Sequence, residues 1–298
     1  MSYHIPVMLE ACMEGLRIDP SGTYVDVTFG GGGHSRAILE RLGPEGRLLV
    51  FDADESARAN LPEDKRIQFI HSNYRHLNKF LRLHKALPVD GILADFGVSS
   101  HQIDTPERGF SIRYEGRLDM RMDQRSPLSA WDIVNTWSKE QLADMFYRFG
   151  EVTNARKLSE AIVRTRQEGP IDTTAALVEI ARPYSMGKYA KYLAQVFQAL
   201  RIVVNDEIAA IEEFLVQTVD ALKPGGRLVI LTYHSLEDRP VKHFLKYGNL
   251  KGEPEKDLYG RFYCPWKLVN RKPAEATEEE INQNPRARSA RLRIAERI

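Results

Sequence analysis

YVDVTFGGGGHSRAILERLGPEGRLLVFDAD, residues 24–54, decides the fold. Residues 24–29 are a short β-prone run, the glycines from Gly30 to Gly33 break it, and residues 35–42 carry Ile38, Leu39 and Leu42 at helical spacing. A second apolar run, 47–51, ends at Asp52. Strand, tight loop, helix and strand make a βαβ unit with an acid at the carboxyl end of its second strand. Such a unit lays a nucleotide-like ligand across the strand ends. Glycines let the backbone approach closely, and a carboxylate accepts both hydrogen bonds of a ribose diol.

A dinucleotide fingerprint reads GxGxxG, whereas here Gly31 and Gly33 are followed by Arg36 in place of the third glycine. That weakens the case for a diphosphate at the helix N-terminus. S-adenosylmethionine is an adenosine ligand without phosphates that suits the same geometry. A nicotinamide or other nucleotide enzyme, and a purely structural turn, stay open on these residues alone. Asp54 competes with Asp52, but Asp52 follows the strand directly while Asp54 stands where the next helix begins, near Glu55 and Ala57.

The 298 residues allow one large or two modest domains, and 43% hydrophobic composition is ample for a core. A formal net charge of +1 gives no global signal for nucleic acid, so any such site is local. Two cysteines, Cys12 and Cys264, make no zinc cluster and suggest a reducing cytosol. The start of the chain lacks a basic region followed by a long apolar core, and no run approaches ~20 apolar residues. A cytoplasmic protein without a membrane segment is expected.

In order, a short helix is expected over 8–13, a third strand over 67–71, and a helix carrying Leu77, Phe80, Leu81 and Leu83. A fourth strand over 89–96 leads into a polar loop, with Asp95 at the edge that is the ligand crevice of a doubly wound sheet. Residues 105–123 have mixed charges, glycines and no steady period, as in a functional loop or an ordinary surface excursion. Residues 128–204 read as successive helices, among them one opened by a Ser138–Gln141 capping box. Such a run breaks the βαβ alternation and predicts an inserted helical domain. The alternation returns with a helix over 206–222 and a strand over 227–233, then His234, and a last short strand is expected within 264–269.

Arg286, Arg288, Arg291, Arg293 and Arg297 read as a basic tail, and Arg108, Arg113, Arg117, Arg121 and Arg125 as a second cluster. Arginine is a rigid bidentate donor to phosphate, so Arg113, Arg121, Arg288, Arg291 and Arg293 are candidate RNA contacts. A solvated face balancing nearby glutamates is the alternative for the tail. Asp119 and Asp123 in LDMRMD have a superficially metal-like spacing without further ligands, and no metal is expected.

Eight stretches in order are similar to the bacterial small-subunit (16S) ribosomal RNA cytosine-N4-methyltransferase family, MraW or RsmH. They are HIPVML at His4, YVDVTFGGGGHS at Tyr24, DGILADFGVSSHQID at Asp90, ERGFS at Glu107, LDMRMD at Leu118, FQALRIVVNDE at Phe197, GGRLVILTYHSLEDRPVK at Gly225 and NPRARSARLRIAE at Asn284. The resemblance implies an α/β, Rossmann-like S-adenosylmethionine-dependent methyltransferase fold with an inserted all-helical domain. The expected division is 1–105 and 205–298 for the methyltransferase domain, and 106–204 for a helical substrate-recognition domain. It implies N4-methylation of a cytidine in the decoding region of 16S ribosomal RNA, within a small subunit or late assembly particle.

Carried over from that family, donor-contacting positions fall on Gly32, Gly33, His34, Asp52, Tyr74, Asp95 and Gln102. Tyr74, where many relatives carry phenylalanine, keeps an aromatic face. Relatives commonly read HPATRTFQA where this chain has KYLAQVFQA, so no phosphate contact is carried onto Gln195. The reaction is attack of the exocyclic amine on the donor methyl. Asp95 is the expected acceptor for an amine hydrogen, and Phe96 is expected to stack on an extruded base.

Overall fold

The computed structural model describes residues 6–298, so His4 and Ile5 of the HIPVML stretch lie outside the described residues. Its strands are β1 (Thr23–Asp26), β2 (Arg47–Asp52), β3 (Ile67–His71), β4 (Val89–Asp95), β5 (Leu222–Thr232), β6 (Trp266–Leu268) and β7 (Arg291–Arg297). They form one sheet in the order β3-β2-β1-β4-β5-β7-β6. Strands β1 to β5 pair in parallel, and β7 runs antiparallel to both β5 and β6. The sheet is Rossmann-like, but an antiparallel strand stands between β5 and β6 where a dinucleotide fold continues in parallel. Strand order reverses between β1 and β4, so the ligand crevice lies outside their carboxyl ends.

The first helices are α1 (Leu9–Leu16), α2 (Gly33–Arg41) and α3 (Leu77–Leu83). Then come α4 (Ser100–Asp104), α5 (Ala130–Thr136), α6 (Lys139–Gly150), α7 (Ala155–Thr165), α8 (Thr174–Ala181) and α9 (Tyr189–Asn205). The last are α10 (Glu207–Ala221), α11 (Ser235–Tyr247) and α12 (Glu278–Gln283).

Period-two alternation sorts the sheet's apolar side chains onto two faces. Val25, Leu49, Phe51, Ile92, Leu228 and Ile230 pack with residues of α3, α10 and α11. Tyr24, Leu48, Val50, Leu93, Val229 and Leu231 pack with α1 and α2. Both faces are therefore covered, which is why the parallel strands read as near-continuous apolar runs.

The stretch read as a basic tail is strand β7. Leu292 and Ile294 enter the core shared with α1 and α2, and Ala295 enters the opposite one. Arginines at alternate positions masked a period-two pattern.

The chain divides into two compact units. One is made of the chain up to Gly97 together with Ile208–Ile298, and the other is Val98–Glu207. The second has its own core, built from Leu142, Phe146, Leu158, Ile162, Val196 and Leu200 among others. It begins before residue 106, because α4 packs on the 3-10 turn Pro106–Arg108, whose Arg108 donates to the carbonyl of Arg121. It runs past residue 204, because Arg201 holds Glu207 through two short bonds. Capping boxes at Ser129–Asp132 and Ser138–Gln141 start α5 and α6, and Thr173 caps α8. Helix α6 includes Gly150, and its left-handed C-cap is Glu151. Among the described residues no helix is long and apolar enough to cross a membrane.

Candidate active site

The glycine loop is built around two carboxylates. Asp26, buried at the end of β1, accepts from the Thr28 backbone N–H at 3.0 Å and from the Ser35 hydroxyl at 2.6 Å, tying α2 back to the strand. Asp52, at the end of β2, accepts from the Gly30 N–H at 2.7 Å and the Asp54 N–H at 2.8 Å. Burial pushes the Asp52 carboxyl up to about 6 against the pull of those two bonds. Asp54 accepts from the Ser56 N–H and hydroxyl as cap of the 3-10 helix Glu55–Asn60, the alternative the sequence left open for it.

Gly32 has φ 74°, which a side chain would strain, and a Cβ there would stand 3.0 Å from the Phe29 ring. A Cβ on Gly33 would collide with Pro6 at 2.3 Å, whereas one on Gly31 would meet nothing within 4 Å. The open approach to the loop is therefore at Gly31. The Gly30 and Gly32 N–H groups already donate, to Asp52 and to the Phe29 carbonyl at 2.8 Å. A loop that binds its own carboxylate is poorly made for a diphosphate.

At the end of β4, the Asp95 backbone N–H donates to Thr28 Oγ1 at 2.7 Å, locking it to the loop after β1. Its side chain accepts from the Tyr233 hydroxyl at 2.6 Å and lies 3.8 Å from His34 Nδ1. His34 is buried, and its Nε2 is 3.0 Å from the Val7 carbonyl oxygen. A carbonyl only accepts, so Nε2 carries the hydrogen and Nδ1 faces Asp95. Burial raises the Asp95 carboxyl, with His34 and the Tyr233 bond opposing and Asp26 and Glu237 adding to the rise. The Tyr233 phenol is pushed well up, by burial first and then by Asp95. Glu237 braces this corner by accepting from the Tyr233 N–H at 2.7 Å and facing His234 at 3.0 Å.

Gly32, Gly33, His34, Asp52, Tyr74 and Asp95 all belong to the first unit, and Gln102 belongs to α4 in the second. Gln102 is buried, with its N–H on Ser99 Oγ and its Oε1 on the Ser99 N–H, a capping box. Tyr74 is half-buried, its ring tilted at 44° to that of Phe96 with centroids 5.5 Å apart, and both rings contact Phe214 edge-on.

Three expectations are corrected. Phe96 is only 3% exposed and fixed between Tyr74 and Phe214, so its ring belongs to the core and is not available to stack on a base. Arg293 is 8% exposed and makes a two-bond ion pair with Asp238 of α11 at 2.7 and 2.9 Å, so no phosphate reaches it. Arg121 grips Asp119 at 2.7 and 3.0 Å and donates to the Ser126 carbonyl, closing its own loop. Asp123 pairs in the same way with Arg125, which accounts for the LDMRMD spacing. Arg113, Arg288 and Arg291 are exposed, Arg291 with one nitrogen 3.5 Å from Asp238.

Tyr233 is the residue that sequence reasoning missed. Its signal is its place directly after β5, one residue before His234. Thr28 had no local signal, because it acts on Asp95, 67 residues away, whereas Glu237 acts on Tyr233 and His234 in its own segment.

The profile of the MraW methylase family matches residues 1–298. The chain is 54% identical to Ribosomal RNA small subunit methyltransferase H of Bacteroides thetaiotaomicron, covering 100% of this chain and 98% of the relative. It is 53% identical to the protein of that name from Bacteroides fragilis, over 99% and 98%. With the Flavobacterium johnsoniae protein it shares 52%, over 100% and 99%. Among solved structures, a rRNA-methylase from Clostridium thermocellum is a distant likeness, with 13% identity, coverage of 99% and 100%, and a TM-score of 0.46.

Proposed function

The chain belongs to the MraW methylase family, and from that premise we propose that it methylates the exocyclic N4 of a cytidine in the decoding region of 16S ribosomal RNA. The donor is S-adenosylmethionine, and the substrate is the RNA within a small subunit or late assembly particle in the cytoplasm. One observation carries the reading: the match to relatives called Ribosomal RNA small subunit methyltransferase H runs the whole length of the chain.

The residues present fit the donor. Gly31 leaves its side of the loop open, and each Asp52 oxygen accepts one backbone N–H and keeps a further lone pair for a ribose hydroxyl. The Gly32 and Gly33 backbone, His34, Tyr74 and Gln102 complete the proposed donor set. S-adenosylmethionine supplies an already activated methyl on a sulfonium.

The chain's task is alignment and proton management. The cytosine amine is a weak nucleophile because its lone pair is delocalised into the ring. Asp95, accepting one amine hydrogen, localises that pair and offsets the positive charge that develops on nitrogen. Tyr233 and Thr28 fix the carboxylate, Tyr233 through Oδ1 and Thr28 through the backbone. Oδ2 is left for the amine and takes its proton as the methyl arrives, with His34 Nδ1 3.8 Å away. No cysteine takes part, since attack at an exocyclic nitrogen needs no covalent intermediate. Cys12 is buried and its thiol is pushed well up, by burial first.

The test is nucleoside mass spectrometry of small-subunit ribosomal RNA from cells lacking this chain and from cells regaining it. N4-methylcytidine should vanish and return. A methyl on a ring carbon or ribose oxygen, or no change, would overturn the assignment.

A further inference from the structure

Four exposed cations gather at one edge of the second unit, and the hydrogen-bonding of Asn154 brings them there. Asn154 precedes α7, donates through Nδ2 to the Tyr184 carbonyl at 2.8 Å, and accepts the Tyr192 hydroxyl at 2.8 Å. Tyr192 lies in the first turn of α9. The bond from Tyr192 ties the start of α7, which carries Arg156 and Lys157, to the first turn of α9, which carries Lys191 and is preceded by its N-cap Lys188. All four side chains are exposed, and among the described residues none of them pairs with a carboxylate. Tyr189, between Lys188 and Lys191 in the chain, is 37% exposed, with the Arg182 guanidinium 5.1 Å from its ring. Arg182 itself is paired with Glu179 and is not counted.

This placement works against the helices that carry it. Helix N-termini favour acids because their N–H groups leave partial positive charge there, yet neither α7 nor α9 has an acid in its first turn or a side-chain cap. Cations at two converging positive ends repel the helix dipoles and one another, and only a polyanion relieves both.

Resting on the proposed reaction, we infer that this edge of the second unit grips the phosphodiester backbone of the small-subunit RNA. Its charges complement several phosphates, and an exposed aromatic among cations suits a nucleic-acid strand. It takes the place of Arg121 and Arg293, which are committed within the fold.

The test uses the full-length protein with Arg156→Gln, Lys157→Gln, Lys188→Gln and Lys191→Gln together, against wild type and a control with Arg82, Lys85, Arg271 and Lys272 changed to Gln. Binding to a small-subunit RNA transcript and to immature particles is measured across about 50–200 mM salt. The edge variant should bind the transcript ~10-fold or more weakly, with a salt slope shallower by ~2–3. Its affinity for S-adenosylhomocysteine should be unchanged, and its unfolding midpoint equal to or above wild type because helix repulsion is removed.

Equal RNA affinity and salt slope would overturn the inference, as would an equal loss in the control. Loss of particle binding with unchanged transcript binding would assign the edge to an acidic protein and also overturn it. A wild-type protein that binds the transcript but methylates nothing removes the proposed reaction and leaves the surface standing. One that binds no RNA removes both.

Discussion

At the residue scale, Asp95 joins position to chemistry. Its carboxylate is held by Tyr233 and faced by His34, Asp26 and Glu237, so its protonation is set by the whole corner of the sheet. Asp95→Asn keeps the shape but loses the charge that orients the amine. Single-turnover methylation at saturating donor and RNA should fall by ~10²-fold or more, with a smaller change in donor affinity by calorimetry. A wild-type rate would reduce Asp95 to a donor-positioning residue. The amine needs the ionised acid, so the rate should fall as pH drops through the raised Asp95 pKa. Tyr233→Phe removes a bond that favours the ionised form, and the acidic limb of the pH–rate profile should move to higher pH. A limb that stays in place would mean that Tyr233 only packs.

At the scale of elements, the glycine loop and strand β7 answer different questions. Gly32 sits at positive φ against Phe29, so replacing it disturbs the loop itself. Gly31 separates fold from ligand, since a side chain there enters open space. Gly31→Val should keep the wild-type unfolding midpoint and weaken S-adenosylmethionine binding by ~10-fold or more, on the scale of one lost close approach. Undiminished affinity on calorimetry would move the donor elsewhere.

For β7, Arg293→Gln should cost ~3 kcal/mol in urea unfolding, because it leaves the buried Asp238 with the distant Arg291 and a long bond from the Thr232 hydroxyl. Burial works to raise the Asp238 carboxyl, but Arg293 and Arg291 prevail and hold it below its ordinary value. The unfolded state therefore binds the proton more readily. The pair's contribution is full above the unfolded pKa and is lost as pH falls through the folded one. The stability gap between variant and wild type should narrow below about pH 4. A variant as stable as wild type but deficient in RNA binding would restore Arg293 to the RNA contacts.

At the scale of the whole molecule, the two units have separate cores, and damage to one should be readable apart from the other. Leu158 is fully buried in the helical unit, and Leu158→Ala removes packing worth ~2–5 kcal/mol. Hydrogen exchange should rise through α6, α7 and α9, while the amides of the sheet keep their protection and the donor still binds. Uniform loss of protection would mean that the chain unfolds as one cooperative body.

The sequence by itself determined β1 to β4, the run of helices inserted after β4 and the return of the sheet at β5, but not β7, whose alternate arginines hid its period. Strand alternation, the glycine break, the acids that end β2 and β4 and the capping boxes are signals within a few residues of one another. Local sterics and hydrogen bonding fix them before any distant contact forms. Only the tertiary structure decided which side chains remain free to act. Phe96 is withdrawn by Phe214, Arg293 by Asp238, and Asp95 is completed by Tyr233, partners 55 to 138 residues apart in the chain for the two hydrogen-bonded pairs. Arg121 was closed off by a neighbour in view, but an Asp two residues away pairs or not according to the backbone turn between them. An arginine's type is written in the sequence, but its availability depends on what the fold sets against it, because a buried charge must find its partner wherever the chain returns.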